Sequence, residues 1–488
     1  MSSASSARRT REASRCVVER LENRQLLSTT NPLPVTTFGT GGTVSGAFTG
    51  YAAQDAIADA VQSDGKLIVV GDASPAGKNK SAFIARFNTN GTIDKTFGTN
   101  GVTFLTYGAG GDTIFTNVKI QTNGSIVVAG VENTNSSNYS ALVARFTNKG
   151  KFDTTFATTG KKLLNFGSAS EATGLLIQSN GKIDVIGGAA SIATLSGGAA
   201  IAQLNANGTL DTTFNHTGML VTSPGTFNVE IGSCGVWDGD LYIGGASLAL
   251  GFSGFSGAQA EIIAVKPNGT LDTAFGTAGR AKLSFGQSFE FITSIGVDPI
   301  SKNLYVGGTS ANGAFAFGTP LPVGSTGGSS AAAIKPAIAL PSFSAPAATK
   351  AGFAAARVNL KGGLDKTFNS KGWIYVSFGA NTLAGSSSMV ILNNGQIVLT
   401  GGEEINHGNS QVVMIRLTQV GKMDLSFGMN GIYSSATSGR STGFFDMAIV
   451  PHLTNGKVDY YFCFCVGHSK LLGKGNYLIV ELKFTLPN

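Results

Sequence analysis

The chain has 488 residues, with 35 Lys and Arg against 28 Asp and Glu and a formal net charge of +7. The first 30 residues hold six Arg and three Glu, so only +4 is left for the rest, too dilute for a nucleic-acid footprint. No run approaches the roughly 18 apolar residues of a membrane span, and charged residues make up only 13% of the chain.

Residues 1–34 come first. They are basic and Ser-rich and lack the apolar core of about 7–15 residues that an ordinary secretory signal carries. On composition alone these residues read as a disordered, flexible arm or a short amphipathic helix. From residue 35 to residue 488 one motif recurs, as in Asn207-Gly208-Thr209-Leu210-Asp211-Thr212-Thr213-Phe214. Its Asp falls at Asp94, Asp153, Asp211, Asp272, Asp365 and Asp424, with spacings of 59, 58, 61, 93 and 59 residues. The long gap carries an insertion of about 34 residues, and a constant period of this kind is the signature of a repeat architecture. The tail of the motif also stands alone at Thr37-Phe38-Gly39, with Phe38 lying 59 residues before Phe97.

A second motif is a turn followed by an apolar run that often ends in Gly, as in Asp64-Gly65-Lys66-Leu67-Ile68-Val69-Val70-Gly71. A third is the strand-like run Phe83-Ile84-Ala85-Arg86-Phe87 before each Asp motif, again at Leu478–Leu482. Asn-Gly and Asp-Gly between apolar runs signal tight hairpins. The continuous apolar runs predict strands covered on both faces. Each period reads as four short strands; in the second copy these are 101–107, 115–121, 125–131 and 141–146. Seven copies of about 60 residues predict an all-β fold, a seven-bladed β-propeller of four-stranded antiparallel blades. The ends agree with a ring: the C-terminal copy stops after its last long strand, and the chain re-enters at 35–38 inside the missing turn.

Two resemblances follow from these residues. Leu21, Glu22, Arg24, Leu26 and Leu27 resemble the Leu-Glu-Pro-Arg-x-Leu-Leu sorting segment of exported planctomycete proteins, with Asn23 in place of the Pro. Residues 35–488 resemble the delta-60 repeat family on the Asn-Gly-Thr-Leu-Asp-x-x-Phe-Gly and Asp-Gly-Lys-Ile-Val-Val-x-Gly runs. The resemblance implies an extracellular, cell-surface or periplasmic address and no assigned chemistry.

The recurring Asp is expected to be structural, tying down turn N–H groups. Arg86, Arg145, Arg357 and Arg416 stand eight residues before it, and Gln203 in the third copy, so an Asp–Arg tie within blades is expected. The turns lack the density of carboxylates that calcium takes; no cofactor is expected, with calcium the weak exception. Function is sought where the pattern breaks. It breaks at the Ala-, Gly- and Pro-rich insertion 310–350, at 248–257, and at Glu403, Glu404 and His407, which carry the candidate acid–base or metal-ligating groups. The cysteines Cys16, Cys234, Cys463 and Cys465 have no zinc spacing. Cys463 and Cys465 read as small buried hydrophobes, and pairing with Cys234 stays open.

The expected function is that of a non-catalytic binding or structural module, monomeric, with a surface polysaccharide or protein as partner. The alternative is an exported propeller enzyme, a glycan hydrolase or lyase or a quinone-dependent dehydrogenase, with its site at the channel mouth. Unlike acidic, basic and aromatic groups at that mouth favour the enzyme; equivalent small or polar residues from every blade favour the module.

Overall fold

The apolar runs form strands because each run buries both of its faces. In the run Leu67–Ser74 every residue from Leu67 to Ala73 is buried, worth about 1.5–3 kcal/mol for each large aliphatic side chain. The computed structural model describes residues 32–484 apart from 107–110, 136–137, 168, 192–195, 223–227, 252–253, 299–300, 313–349, 380–381, 406–408, 436–440, 455–456 and 472–473. The sorting-segment residues Leu21, Glu22, Arg24, Leu26 and Leu27, most of the 310–350 insertion, and His407 therefore lie outside the described residues.

The protein is a β-propeller. In the first blade, Ala53–Val61, Leu67–Ser74, Ser81–Phe87 and Val102–Leu105 pair in order, each antiparallel to the next. The same order recurs in five further blades, whose inner strands are Thr113–Ile120, Ala169–Ile177, Asn228–Asp238, Phe289–Val297 and Thr382–Ile391. The seventh blade takes Ser441–Thr454, Lys457–Leu471 and Lys474–Phe484 from the C-terminal end. Its fourth strand is Thr43–Gly46, which pairs with Tyr477–Val480, and Leu33–Pro34 adds a short pairing to Leu482–Lys483. The ring is thus closed by the two ends of the repeat region. The seven inner strands touch one another in turn, and Ser441–Thr454 packs against Ala53–Val61 to complete the circle around a central channel.

Two details depart from the reading of the sequence. The sequence period and the blade are out of phase by one strand. Val102–Leu105, which opens the second sequence copy, pairs with Ser81–Phe87 as the outer strand of the first blade. Each inner strand also carries a β-bulge at the same register, between Ala56 and Ala58 in the first blade and between Phe444 and Asp446 in the last. Bulges raise the local twist, which lets seven radial sheets share one axis.

The bulge accounts for the Gly that ends the apolar run. A Cβ on Gly71, Gly130, Gly187, Gly308 or Gly401 would sit 1.9–2.0 Å from a backbone carbonyl oxygen of the bulged inner strand. No side chain fits there, so the sequence keeps Gly.

Candidate active site

The ring has two ends. The hairpins that leave the inner and third strands, including every Asn-Gly-Thr-Leu-Asp turn, lie at one end, here called the turn end. The links from second to third strand, and from outer strand to the next inner strand, lie at the other, the loop end.

At the turn end the recurring Asp and Arg meet. Arg86 Nε lies 2.9 Å from Asp94 Oδ2, Arg145 Nε 2.7 Å from Asp153, Arg357 Nε 2.8 Å from Asp365 and Arg416 Nε 2.7 Å from Asp424. Asp211 takes Lys182 at 2.5 Å and Asp272 takes Lys266 at 3.4 Å. The same guanidinium covers the motif's Phe, 4.7 Å above the Phe97 ring in the first blade. Arg86 also donates to the Asn148 carbonyl of the next blade at 2.6 Å, and Gly98 N–H donates to Lys149 O at 2.8 Å. The motif is therefore an inter-blade staple. Burial would raise the Asp94 carboxyl, but hydrogen bonds from Lys66 and Thr96 and the Arg86 charge hold it well below the usual carboxylate range.

Glu403 is buried and accepts a 2.8 Å hydrogen bond from Gln411 Nε2 on the paired strand. The Glu404 backbone pairs with Leu383 and Ser410; its side chain and His407 lie outside the described residues. Cys463 is buried; the side chains of Cys234 and Cys465 are outside the described residues. Among the described residues no group of three or more His, Cys, Asp or Glu is arranged to hold a metal ion, and no helix is long and apolar enough to cross a membrane.

The loop end holds a different set of groups, which the repeat motifs do not contain. Asp72 sits where the second strand of the first blade reaches the loop end, 1% exposed and directly across from Asp55 on the inner strand. Lys80, at the start of the third strand, places Nζ 3.5 Å from Asp72 Oδ1. Its backbone N–H donates to Asp112 Oδ1 at 2.8 Å, and its carbonyl accepts from Thr113 N–H at 3.0 Å, so the first two blades are tied at this point. Burial pushes the Asp72 carboxyl up to about 7, against the pull of Lys80 and with the added repulsion of Asp55 and Asp112.

The series continues into the next blades. The Tyr139 hydroxyl, from the second blade, is raised by burial and by the charges of Asp112 and Glu171. Glu171 belongs to the inner strand of the third blade; burial raises its carboxyl well above the ordinary value, and its Oε1 is enclosed without a hydrogen-bond partner. Farther down the channel, Asp446 accepts from Met447 N–H at 2.8 Å and Asp59 N–H at 3.4 Å. Burial raises it while Lys119 and Ser388, from the second and sixth blades, oppose the rise. Beside the mouth, a cleft of about 320 Å³ opens between the fourth and fifth blades, lined by Ser247, Gln259, Lys282, Ser284, Gln287 and Glu290.

Asp72 has no acidic counterpart in the following five blades, while Asp55 shares its register with one acid, Glu171. At the register of Asp72 the following five blades carry Val131, Gly188, Ala246, Thr309 and Gly402. At the register of Asp55 they carry Ile114, Glu171, Ile231, Phe291 and Gly385. Motif reading missed these residues because it looked for recurrence. Their signal was the departure of one copy from the others, an Asp after Val69-Val70-Gly71 where another copy reads Val128-Ala129-Gly130-Val131.

Three of the repeats match a known family model. Residues 62–97, 121–156 and 178–214 match that of a β-propeller domain of unknown function, DUF5122. Among curated proteins, none matches the sequence. Solved structures similar to the chain include the polysaccharide lyase Uly1, at 10% identity and TM-score 0.45, covering 88% of this chain and 90% of that one. A PL25 ulvan lyase bound to a glucuronate–rhamnose sulfate unit has 11% identity and TM-score 0.44, covering 88% and 95%. A mutant of Trypanosoma rangeli sialidase displaying trans-sialidase activity has 8% identity and TM-score 0.35, covering 90% and 59%. At these identities the likeness is one of fold. The expectation of a non-catalytic module is nonetheless corrected. The loop end holds unlike acidic, basic and aromatic groups from three successive blades, whereas a module was expected to show equivalent small or polar residues from every blade.

Proposed function

We propose that this chain is an exported propeller enzyme that cleaves a glycan at the loop end of its channel, by hydrolysis. The observation that carries this reading is the series of unlike groups Asp55, Asp72, Lys80, Asp112, Tyr139 and Glu171, contributed by three successive blades. Strongly perturbed carboxyls in a cleft are what acid–base chemistry requires. Glycoside hydrolysis uses a pair of carboxyl groups, one supplying a proton to the leaving oxygen and the other assisting water or the sugar carbon. Glu171, whose carboxyl burial raises well above its ordinary value, suits the proton donor. Water adds across the glycosidic C–O bond, and the donor's proton ends on the departing sugar hydroxyl.

Elimination from a uronate fits less well. It calls for cations that neutralise the substrate carboxylate, whereas Lys80 faces three acids here. The N-terminal basic segment supports export as part of the same proposal.

The test uses the purified full-length chain on a panel of neutral, amino and acidic polysaccharides, scoring new reducing ends and unsaturated uronates in the same tubes. Reducing ends without unsaturation are expected, and Glu171→Gln lowers their release by about 100-fold or more. Unsaturated products would establish elimination instead. Release that survives both Asp72→Asn and Glu171→Gln would remove the site from the reaction.

A further inference from the structure

We infer that the mouth is built to receive a protonated amino group, so that the glycan it takes carries free amines rather than carboxylates or sulfates. The inference rests on reading the mouth as a glycan site and specifies what that site selects.

The key atom is Asp72 Oδ2. Asp72 is 1% exposed, and its Oδ1 has Lys80 Nζ at 3.5 Å. Its Oδ2 is enclosed and has no hydrogen-bond partner. A buried carboxylate oxygen left in this state is costly. The fold does not require it, since five other blades place Val131, Gly188, Ala246, Thr309 or Gly402 at the same register. An incoming ammonium carries three N–H donors and one positive charge, and would satisfy Oδ2 and the local charge together.

The surroundings set the sign of the charge that is welcomed. Asp55 faces Asp72 across the strand pair, and Asp112 faces it from the next blade. Lys80 is the cation set against these three carboxyls, and its own backbone N–H is already committed to Asp112. A uronate or sulfate brought here meets like charges, which is discrimination by repulsion as much as by attraction. The raised Asp72 carboxyl fits the same geometry: an arriving cation favours its ionised form, so amine binding near neutral pH releases protons.

The test is titration calorimetry on the full-length protein with an oligosaccharide of glucosamine, its N-acetylated counterpart, an oligouronate and 1,4-diaminobutane. Buffers of two ionisation enthalpies report the protons released. The glucosamine oligosaccharide binds at least about tenfold more tightly than the N-acetylated one and releases protons at pH 7. The diamine binds more weakly, which separates a sugar amine from any amine. Asp72→Asn abolishes both the preference and the proton release while N-acetyl binding persists. Asp112→Asn reduces the preference in part and stands in if the first variant does not fold. Equal binding of the N-acetylated or uronate oligosaccharide, binding of none of them, or a preference that survives Asp72→Asn overturns the inference. Amine-selective binding without any cleavage overturns the proposed hydrolysis and leaves the inference standing. Cleavage of a neutral glycan with no amine preference does the reverse.

Discussion

At the turn end of the ring, Arg86, Arg145, Arg357 and Arg416 repeat one arrangement, each on its Asp and over its Phe. At the loop end, Asp72, Lys80, Tyr139 and Glu171 each occur once. The same strands supply both ends. What differs is the direction of the electrostatics. The staple carboxyls Asp94, Asp365 and Asp424 are paired and held low, whereas Asp72 and Glu171 are enclosed and held high. Paired charges hold blades together, and enclosed ones cost stability that a ligand can return. Stability therefore concentrates at the turn end of the propeller, and the proposed chemistry lies at the other.

The largest effect on this contrast is expected from Arg416→Met, because Arg416 is fully buried and its loss leaves Asp424 uncompensated. Denaturant unfolding is expected to register about 3–5 kcal/mol of destabilisation. Gly130→Ala comes next. Its Cβ would meet the Ile114 carbonyl oxygen at 2.0 Å, and overpacking of this kind costs about 1–3 kcal/mol. A thermal melt equal to that of the unchanged protein would show that the bulge gives way and that the Gly is not required.

The seam of the ring offers a finer comparison. Glu481 N–H donates to Gly42 O and its carbonyl accepts from Val35 N–H, as Arg86 does with Gly101 and Asp94. Glu481 and Val35 therefore occupy the places of the Arg and Asp of the staple. Burial pushes the Glu481 carboxyl to about 7, and its Oε2 has no partner. The folded value lies above the unfolded one near 4.5, so the folded state holds the extra proton between them. Stability is then lost as pH rises from about 4.5 to about 7 and is flat above. Glu481→Gln is expected to flatten that fall in the melting temperature between pH 4.5 and pH 8. The double change Val35→Asp with Glu481→Arg is expected to install the staple found elsewhere and to raise the melting temperature. An unchanged pH profile in Glu481→Gln would remove the seam from the account. The smallest effect is expected from Leu425→Thr. Leu425 is 69% exposed, and surface changes of this kind stay within about 0.5 kcal/mol.

Much of the architecture was legible because it repeats. The Asn-Gly turns marked the hairpins, the period marked the copies, and the truncated last copy pointed to closure by residues 35–38. The phase of the blade was not legible, since Val102–Leu105 follows the Asp motif in sequence but pairs backwards with Ser81–Phe87. The mouth was illegible for the converse reason. Asp72, Asp112, Tyr139 and Glu171 lie in four separate stretches, and only the packing of successive blades brings them together. The doublet Glu403-Glu404 was conspicuous because it is local. Successive strand positions alternate faces, and Glu403 is engaged by Gln411 on the neighbouring strand.

The division of the molecule into a stabilising end and a reactive end is tested most directly by Asp72→Asn, with its melting temperature and its glycan cleavage measured together at pH 8. Removal of an enclosed carboxylate is expected to raise the melting temperature, by more at pH 8 than at pH 4, and to abolish cleavage. A lower melting temperature with cleavage intact would make Asp72 one more structural tie and would contradict the account.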